Sequence, residues 1–339
     1  MAHAREGRHL RLLPRTLGRL FIALVVGAGA GGAWFLAHYP SVGPPSPVPI
    51  RVTAALIERG RYLANHVAAC MNCHSTRNWN VFSGPVVPGS EGAGGERFGQ
   101  EVGFPGTFYA ANITPVALSQ WTDGEIVRAI TCGVTRSGRA MFPVMPYPNY
   151  RALSEEDAEA VVAYIRTLKP IASDILPSQP DFPMNLLVRM LPEPYAPQPA
   201  PGRSSPAAYG QYLVTIAACA RCHTPAIRGE PIQGMEYAGG AVLTVPRAGR
   251  VRSANITPDP DTGIGNWTGE FFIARFRGFA SAENKSPPAS DRRFNTLMPW
   301  TMYTGMTDGD LGAIYAYLRT IRPVKNKIPP FPDSTRPAP

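Results

Sequence analysis

Cysteine is scarce in this chain, with five residues in 339. Four of the five stand in two closely spaced pairs, and only Cys132 is left over. This distribution excludes a framework of disulfide bonds. Sustained alternation of polar and apolar residues is also absent, so the sequence predicts a mostly α-helical fold.

A strong charge excess is missing from the body of the chain. The net charge is +9, but residues 1–40 alone hold five arginines against one glutamate. Residues 51–172 carry 11 basic and 10 acidic residues, and residues 203–325 carry 14 and 9. We therefore expect no nucleic-acid partner. The second region either offers a basic face to an acidic partner or is an ordinary solvated surface.

What the sequence does contain is the motif Cys-x-x-Cys-His, twice. The two copies provide Cys70, Cys73 and His74, and then Cys219, Cys222 and His223. This motif is the attachment signature of a c-type haem, in which two thiols bond to the porphyrin and the histidine ligates the iron. A zinc site or a redox dithiol is the alternative for a bare Cys-x-x-Cys, and the following histidine disfavours both. The sequence thus predicts two haem c groups.

The motifs belong to a longer internal repeat. The repeated elements are Gly-x-Tyr-Leu (60–63 and 210–213), Ala-Asn-Ile-Thr-Pro (111–115 and 254–258), Trp-Thr (121–122 and 267–268), Met-Pro (145–146 and 298–299) and Ala-Tyr-x-Arg-Thr (163–167 and 316–320). They predict two tandem units, residues 51–170 and 206–325, in which an opening helix leads into the motif and a closing helix ends the unit. Helix-start signals pair Thr122 with Glu125, Ser154 with Asp157 and Thr307 with Asp310.

Each unit resembles a small cytochrome c domain. The Asn-Ile-Thr-Pro and Met-Pro elements, with Thr-Gly-Ile-Gly-x-Trp at 262–267, are similar to cytochrome c subunits of membrane-bound alcohol, aldehyde and sugar-acid dehydrogenases. The resemblance covers residues 52–170 and 205–323. It implies two tandem cytochrome c domains behind one N-terminal transmembrane helix, and a role as the electron-transfer subunit of a dehydrogenase.

The repeat also selects a second axial ligand for each iron. Histidine is absent from the second unit apart from His223, which excludes bis-histidine ligation from within that unit. Aligning the closing helices gives an offset of 153 residues, and this offset pairs Met145 with Met298. Met141 and Met302 have no methionine at their repeat positions. We therefore predict His/Met ligation through Met145 and Met298, which raises a haem's reduction potential.

Other residues near the motifs receive structural interpretations. His66 is expected to be a surface or packing residue. Cys132 is expected to be a small buried thiol; the alternative is an iron-bound thiolate, as in a sulfur-oxidising cytochrome. Asn112 and Asn255 either anchor loops near the haem propionates or cap turns, and the sequence favours neither interpretation.

The N-terminal region predicts a membrane anchor. Five arginines precede residues 21–39, a run that contains no Asp, Glu, Lys or Arg. As a helix this run spans roughly 28 Å, close to a hydrocarbon core of about 30 Å. The arginines predict a cytoplasmic N-terminus for residues 1–39 in the bacterial inner membrane, with the haem domains in the periplasm. A signal peptide cleaved near residues 28–30 is the alternative.

Proline, with 37 residues, marks the connecting segments. Residues 40–50 predict a semi-rigid spacer, 171–205 a linker between the units and 326–339 a tail. Residues 280–296 have no counterpart in the first unit and are interpreted as an exposed loop for docking.

Two irons with both axial positions filled indicate an electron carrier rather than an enzyme. The expected partners are a dehydrogenase subunit or quinol-oxidising complex as donor, a cytochrome or terminal oxidase as acceptor, and membrane lipid around the N-terminal helix. The alternative is a dihaem cytochrome c peroxidase, which needs a haem that can open a coordination position for peroxide.

Overall fold

The computed structural model describes residues 13–329 except 228, 247–248 and 281–294. The α-helices are α1 (Leu13–His38), α2 (Ala54–Tyr62), α3 (Cys70–Cys73), α4 (Pro115–Leu118), α5 (Asp123–Cys132), α6 (Tyr147–Tyr150), α7 (Glu155–Ile165), α8 (Met184–Leu187), α9 (Pro206–Ile216), α10 (Cys219–His223), α11 (Gly269–Arg277), α12 (Trp300–Tyr303) and α13 (Asp308–Leu318). A π-helical turn, Leu63–Val67, extends α2, and 3-10 turns cover Gln100–Val102 and Val188–Met190. The prediction of a mostly α-helical chain is confirmed.

The strands are short. They are β1 (Arg97–Phe98), β2 (Gly106–Tyr109), β3 (Gln179–Pro180), β4 (Ala226–Ile227), β5 (Glu230–Pro231), β6 (Val242–Val245) and β7 (Gly249–Arg252). Strands β1, β2 and β3 form one antiparallel sheet, in which Phe98 pairs with Phe108 and Gly106 pairs with Pro180. The other four form two hairpins. Residues 281–294 of the predicted docking loop (280–296), the arginines before residue 13 and most of the tail lie outside the described residues.

Helix α1 is the apolar helix that the sequence predicts. Its stretch Leu17–His38 is long and apolar enough to cross a membrane, and none of it is buried against the rest of the protein. A signal sequence would satisfy the same criterion of length and composition. Trp34 lies near the end of the helix and stacks on His38, with ring centroids 4.4 Å apart.

In residues 51–170, called here the first segment, the opening helix α2 crosses the closing helix α7. Thr53 caps α2 by accepting a hydrogen bond from the amide of Leu56. The helices touch at Gly60, where an added Cβ would lie 1.8 Å from the carbonyl oxygen of Ala160. Only glycine therefore permits this crossing. Helix α5 begins with the predicted capping box, and α7 begins at the predicted Ser154 cap.

Residues 206–325, called here the second segment, repeat this arrangement with α9 and α13. The contact lies at Gly210, whose Cβ would be 1.8 Å from the carbonyl oxygen of Ala313. Thr307 caps α13 by accepting a hydrogen bond from the amide of Asp310, as predicted. The repeated Gly-x-Tyr-Leu sequence thus marks two helix crossings of the same geometry.

The two segments contact each other through matched bonds. The Tyr62 hydroxyl donates to Asp310 at 2.6 Å, and the Tyr212 hydroxyl donates to Asp157 at 2.5 Å. One hydrophobic cluster contains residues from both segments. Because each tyrosine bonds the opposite closing helix, the interface has the reciprocal form of a two-fold contact between identical subunits.

The proline-rich segments pack against these helices. In the spacer, the Ile50 amide donates to Asp123 at 3.3 Å at the start of α5. In the linker, β3 pairs with β2, and the Tyr195 hydroxyl donates to the Leu153 carbonyl at 2.9 Å. Further along the linker, Arg203 forms an ion pair with Asp310 of the second segment. The linker therefore contacts both segments.

Candidate haem sites

Each Cys-x-x-Cys-His motif lies on a short helix that directly follows a residue in the left-handed backbone conformation. Ala69 (φ 50°) precedes α3 and Ala218 (φ 54°) precedes α10, both in the left-handed conformation. Left-handed backbone is uncommon for residues other than glycine. The same conformation before both motifs turns the chain out of the opening helix at the equivalent point.

The motif histidines are oriented by backbone carbonyls. His74 Nδ1 lies 2.7 Å from the carbonyl oxygen of Ala111, and His223 Nδ1 lies 2.8 Å from that of Ala254. Because a carbonyl only accepts, Nδ1 carries the proton in both rings, and Nε2 keeps a free lone pair. Burial lowers the pKa of both imidazoles, which favours the neutral form that binds metal.

The Asn-Ile-Thr-Pro element holds the loop that supplies these carbonyls. The Asn112 side chain accepts from the amide and hydroxyl of Thr114 and donates to the Ile171 carbonyl at 2.7 Å. Asn255 makes the same bonds with Thr257 and donates to the Val324 carbonyl at 2.8 Å. Both asparagines therefore cap a turn and also tie it to the segment after the closing helix.

Met145 and Met298 lie half-buried against the hydrophobic cluster, each just before a short helix. These helices, α6 and α12, are tied to the backbone in front of the cysteine motifs. The Tyr150 hydroxyl donates to the Ala68 carbonyl at 2.9 Å, and the Tyr303 hydroxyl donates to the Ala217 carbonyl at 3.1 Å.

The tyrosines of α6 and α12 also lie beside the motif thiols. Burial raises the pKa of Tyr150 and Tyr303 well above the ordinary value, and the nearby cysteines of their own segment add to the shift. Within each segment, the structure thus brings the short stretch that carries the predicted methionine to the cysteine motif.

The residues expected to have structural roles are packed within the protein. His66 Nδ1 lies 2.9 Å from the Met302 carbonyl oxygen, and the Met302 side chain is buried in the hydrophobic cluster. Cys132 is buried at the end of α5 with its Sγ 3.6 Å from the Thr131 hydroxyl. Met141 is half-buried on a loop after α5.

The two candidate sites lie next to each other. Burial raises the pKa of Cys73, and the nearby Cys222 thiol adds to that shift. Arg221, inside the second motif, donates to the Pro143 carbonyl at 2.8 Å, close to Met145. Ser83 of the first segment donates through its hydroxyl to the Met298 carbonyl at 2.6 Å.

Sequence reasoning missed several of these supporting residues. Tyr150 and Tyr303 are separated by the same offset of 153 residues as the methionines, so the repeat could have found them. Ser83 and Arg221 carry no such signal, because their contacts join regions distant in sequence.

The donor set fits haem c. The Cys70 and Cys219 side chains pack against the hydrophobic cluster, an apolar environment suited to a porphyrin edge. Burial there raises the pKa of both thiols to about 12. Each motif adds an imidazole with a free Nε2. In the part of the chain that the structure describes, no three His, Cys, Asp or Glu side chains converge as a bare metal site. This disfavours the zinc alternative, which needs four such ligands.

Comparison with known proteins agrees with this fit. Residues 207–322 match the family model of cytochrome c. The chain is 30% identical over 291 residues to an alcohol dehydrogenase (quinone) cytochrome c subunit of Gluconacetobacter polyoxogenes, covering 80% of this chain and 57% of that protein. It is 27% identical to a fructose dehydrogenase cytochrome subunit of Gluconobacter japonicus (82% and 55%). It is also 27% identical to a gluconate 2-dehydrogenase cytochrome c subunit of Pantoea cypripedii (79% and 60%).

The chain thus spans a little over half the length of these relatives. They are named as cytochrome subunits, in agreement with the prediction of an electron carrier rather than a catalytic enzyme. Residues 207–322 thus match the cytochrome c family, and most of the chain is similar in sequence to cytochrome c subunits of alcohol, fructose and gluconate dehydrogenases.

Proposed function

We propose that the chain is a dihaem electron carrier with two tandem cytochrome c domains, residues 51–170 and 206–325. The observation that carries this proposal is the matched frame around both motifs. In each segment a carbonyl orients the motif histidine, and a tyrosine joins the methionine-bearing segment to the backbone before the first cysteine. One frame of this kind supports one haem site, and the repetition supports two.

The proposed ligands follow the repeat. In the first domain, Cys70 and Cys73 attach the haem while His74 and Met145 ligate the iron. In the second domain, Cys219 and Cys222 attach the haem while His223 and Met298 ligate the iron.

Haem c, when bound, supplies a one-electron iron couple whose potential is raised by His/Met ligation. The protein orients the imidazoles through the Ala111 and Ala254 carbonyls, which prevents rotation of the rings. Tyr150 and Tyr303 hold the methionine-bearing stretches against the motifs, and the hydrophobic cluster packs against both methionines.

The closeness of the two motifs supports electron exchange within one chain. The Cys73 and Cys222 thiols, which would each attach a haem, are close enough for Cys222 to help raise the pKa of Cys73. The bonds of Arg221 to Pro143 and of Ser83 to Met298 brace the two sites against each other. An electron that enters at one haem therefore has a short path to the other.

The proposed setting is the periplasmic face of the bacterial inner membrane, with α1 as the anchor and its N-terminus cytoplasmic. The names of the relatives support a dehydrogenase as the electron donor, and a quinol-oxidising complex is the alternative donor. The acceptor is a cytochrome or terminal oxidase. Purification of the full chain from native membranes tests this directly: a co-purifying dehydrogenase subunit would support the proposal, and recovery of the chain alone would oppose it.

The ligand assignment is tested by replacing methionines in the haem-loaded protein. Met145→Leu and Met298→Leu should each remove about half of the near-infrared absorption that methionine-ligated ferric haem shows. Met141→Leu is the matched control and should leave the absorption unchanged. Unchanged spectra in both ligand variants would refute the assignment.

The peroxidase alternative has a separate test. Peroxide turnover by the haem-loaded protein with a reduced donor, at a rate well above that of free haem, would favour it. A rate no better than free haem would support the carrier. The mature N-terminus, read by sequencing, distinguishes the anchor from a cleaved signal peptide.

A further inference from the structure

The linker carries an apolar face beside the end of α1. Its exposed apolar residues, with their exposed fractions, are Phe182 (80%), Leu186 (45%), Leu187 (40%), Met190 (46%) and Leu191 (40%). We call these residues the linker face. Their neighbour Val188 is 4% exposed and fixes the opposite side of the turn in the protein. Five large apolar side chains grouped on one surface mark an interaction site rather than ordinary exposure.

The position of the linker face is set by an arginine. Arg189, within the same turn, donates to the carbonyls of Leu36 at 2.9 Å and Tyr39 at 2.5 Å. These carbonyls end α1 and have no partners inside the helix. A cation at this end also complements the helix dipole. The linker face is therefore held where α1 ends.

The linker is also fixed to the first segment. Strand β3 pairs with β2, the Asp181 amide donates to the Pro105 carbonyl at 3.0 Å, and Gln100 donates to the Asp181 side chain at 2.7 Å. The nearby Glu193 is paired with Arg151. The acidic groups that flank the linker face are thus occupied by protein partners, which lowers the cost of bringing this surface to a lipid headgroup region.

We propose that the linker face inserts into the outer surface of the lipid bilayer beside α1, as a second membrane contact. This inference depends on the proposed role of α1 as an anchor, since a spanning α1 ends at the level of the headgroups. Trp34 and Leu36, exposed by 56% and 54%, continue the apolar surface at that level. Such a contact fixes the first segment close to the membrane, whereas a single helix would leave it free to rotate relative to the bilayer.

The test uses the full haem-loaded chain in vesicles of phosphatidylethanolamine and phosphatidylglycerol that contain a phospholipid with a photoreactive acyl chain. Labelled residues are mapped by mass spectrometry. We expect label both in α1 and at residues 182–191. The variant with Phe182→Ser, Leu186→Ser and Met190→Ser should lose label at 182–191 by about tenfold while α1 stays labelled. The control Ile227→Ser, at a residue 65% exposed in the second segment, should change neither.

The outcomes separate this inference from the anchor. Label in α1 alone would overturn the linker contact and leave the anchor intact. Label at 182–191 in a chain that has lost α1 would support the contact and reject the anchor. Label in neither region would reject both. In native membranes, cross-linking of residues 182–191 to a protein in place of lipid would also overturn the inference, in favour of a subunit interface. An unchanged haem spectrum confirms that the triple variant is folded.

Discussion

Tyr147 in the first segment and Trp300 in the second segment follow equivalent Met-Pro pairs. Tyr147 is fully buried, and its ring lies against Gly133, where an added Cβ would be 2.4 Å from it. Trp300 instead stacks on Phe279, with centroids 4.5 Å apart, and lies 5.2 Å from Phe276. The residue after each Met-Pro pair thus contacts a glycine in the first segment and aromatic side chains in the second.

The bonds that hold the two sites do not differ in this way. The histidine–carbonyl, asparagine–threonine and tyrosine–carbonyl bonds occur in both segments with nearly equal distances. The frame of each site is thus duplicated, while its surroundings are not. Since burial and nearby groups tune haem potentials, we expect the two sites to differ in potential rather than in ligand geometry.

Loss of a motif histidine should remove haem from one segment and spare the other. His74→Ala should leave haem only in the second segment, and His223→Ala only in the first, because each histidine is the proposed iron ligand of its own motif. Haem content per chain should fall by about half in either variant. A haemochrome assay with intact-mass measurement checks this. Loss of both haems from one substitution would show that the two sites do not form independently.

The two helix crossings offer a matched pair of structural substitutions. Gly60→Ala and Gly210→Ala each place a Cβ at 1.8 Å from a carbonyl oxygen of the closing helix. The helices must separate, and we expect each change to lower the free energy of unfolding by about 3 kcal/mol. Gly312→Ala, where an added Cβ meets nothing within 4 Å, is the control. Unequal losses measured by denaturant unfolding would contradict the equivalence of the crossings.

The two aspartates at the segment interface should differ in how much stability is lost when each is replaced. Asp157→Ala removes the partner of Arg59, whose side chain is only 25% exposed, and of Tyr212. Asp310→Ala removes the partner of Arg203, which is 59% exposed, and of Tyr62. We expect losses of about 3 kcal/mol for Asp157→Ala and about 2 kcal/mol for Asp310→Ala, because an exposed arginine regains water.

Denaturant unfolding of the same two variants measures this difference. The ion pair between Lys325 and Asp261, in which both side chains are exposed, provides the control. Asp261→Ala should change stability by less than about 1 kcal/mol. An equal cost for Asp157→Ala and Asp310→Ala would mean that the exposure of the arginine does not decide the outcome.

The tyrosine–carbonyl bonds should contribute less to stability than the helix crossings or the interface aspartates. Tyr150→Phe and Tyr303→Phe each remove one hydrogen bond to the backbone before a motif, at a cost of about 1–2 kcal/mol. Because the ring remains, haem content should stay the same and only thermal stability should fall. A shift of the methionine-dependent absorption in one variant alone would show that its tyrosine also positions the ligand.

The sequence predicted the parts of the site that depend on neighbours along the chain. A Cys-x-x-Cys-His motif places three groups within one helical turn. Ser154 and Thr307 each cap the helix that begins at the next residue. The 153-residue offset of the repeat also selected Met145 and Met298 as the predicted ligands. These inferences need no knowledge of how distant segments meet.

The contacts between the two segments depend on tertiary packing. Tyr62 and Asp310 are 248 residues apart, and their bond exists because two helix pairs pack across a shared core. Sequence reasoning correctly noted the repeated Gly-x-Tyr-Leu but could not assign the glycine to a helix crossing or the tyrosine to the opposite segment. The contact of Arg189 with the end of α1 was equally hidden. Local patterns determine which residues can bind haem, whereas packing of distant apolar surfaces determines which sites become neighbours.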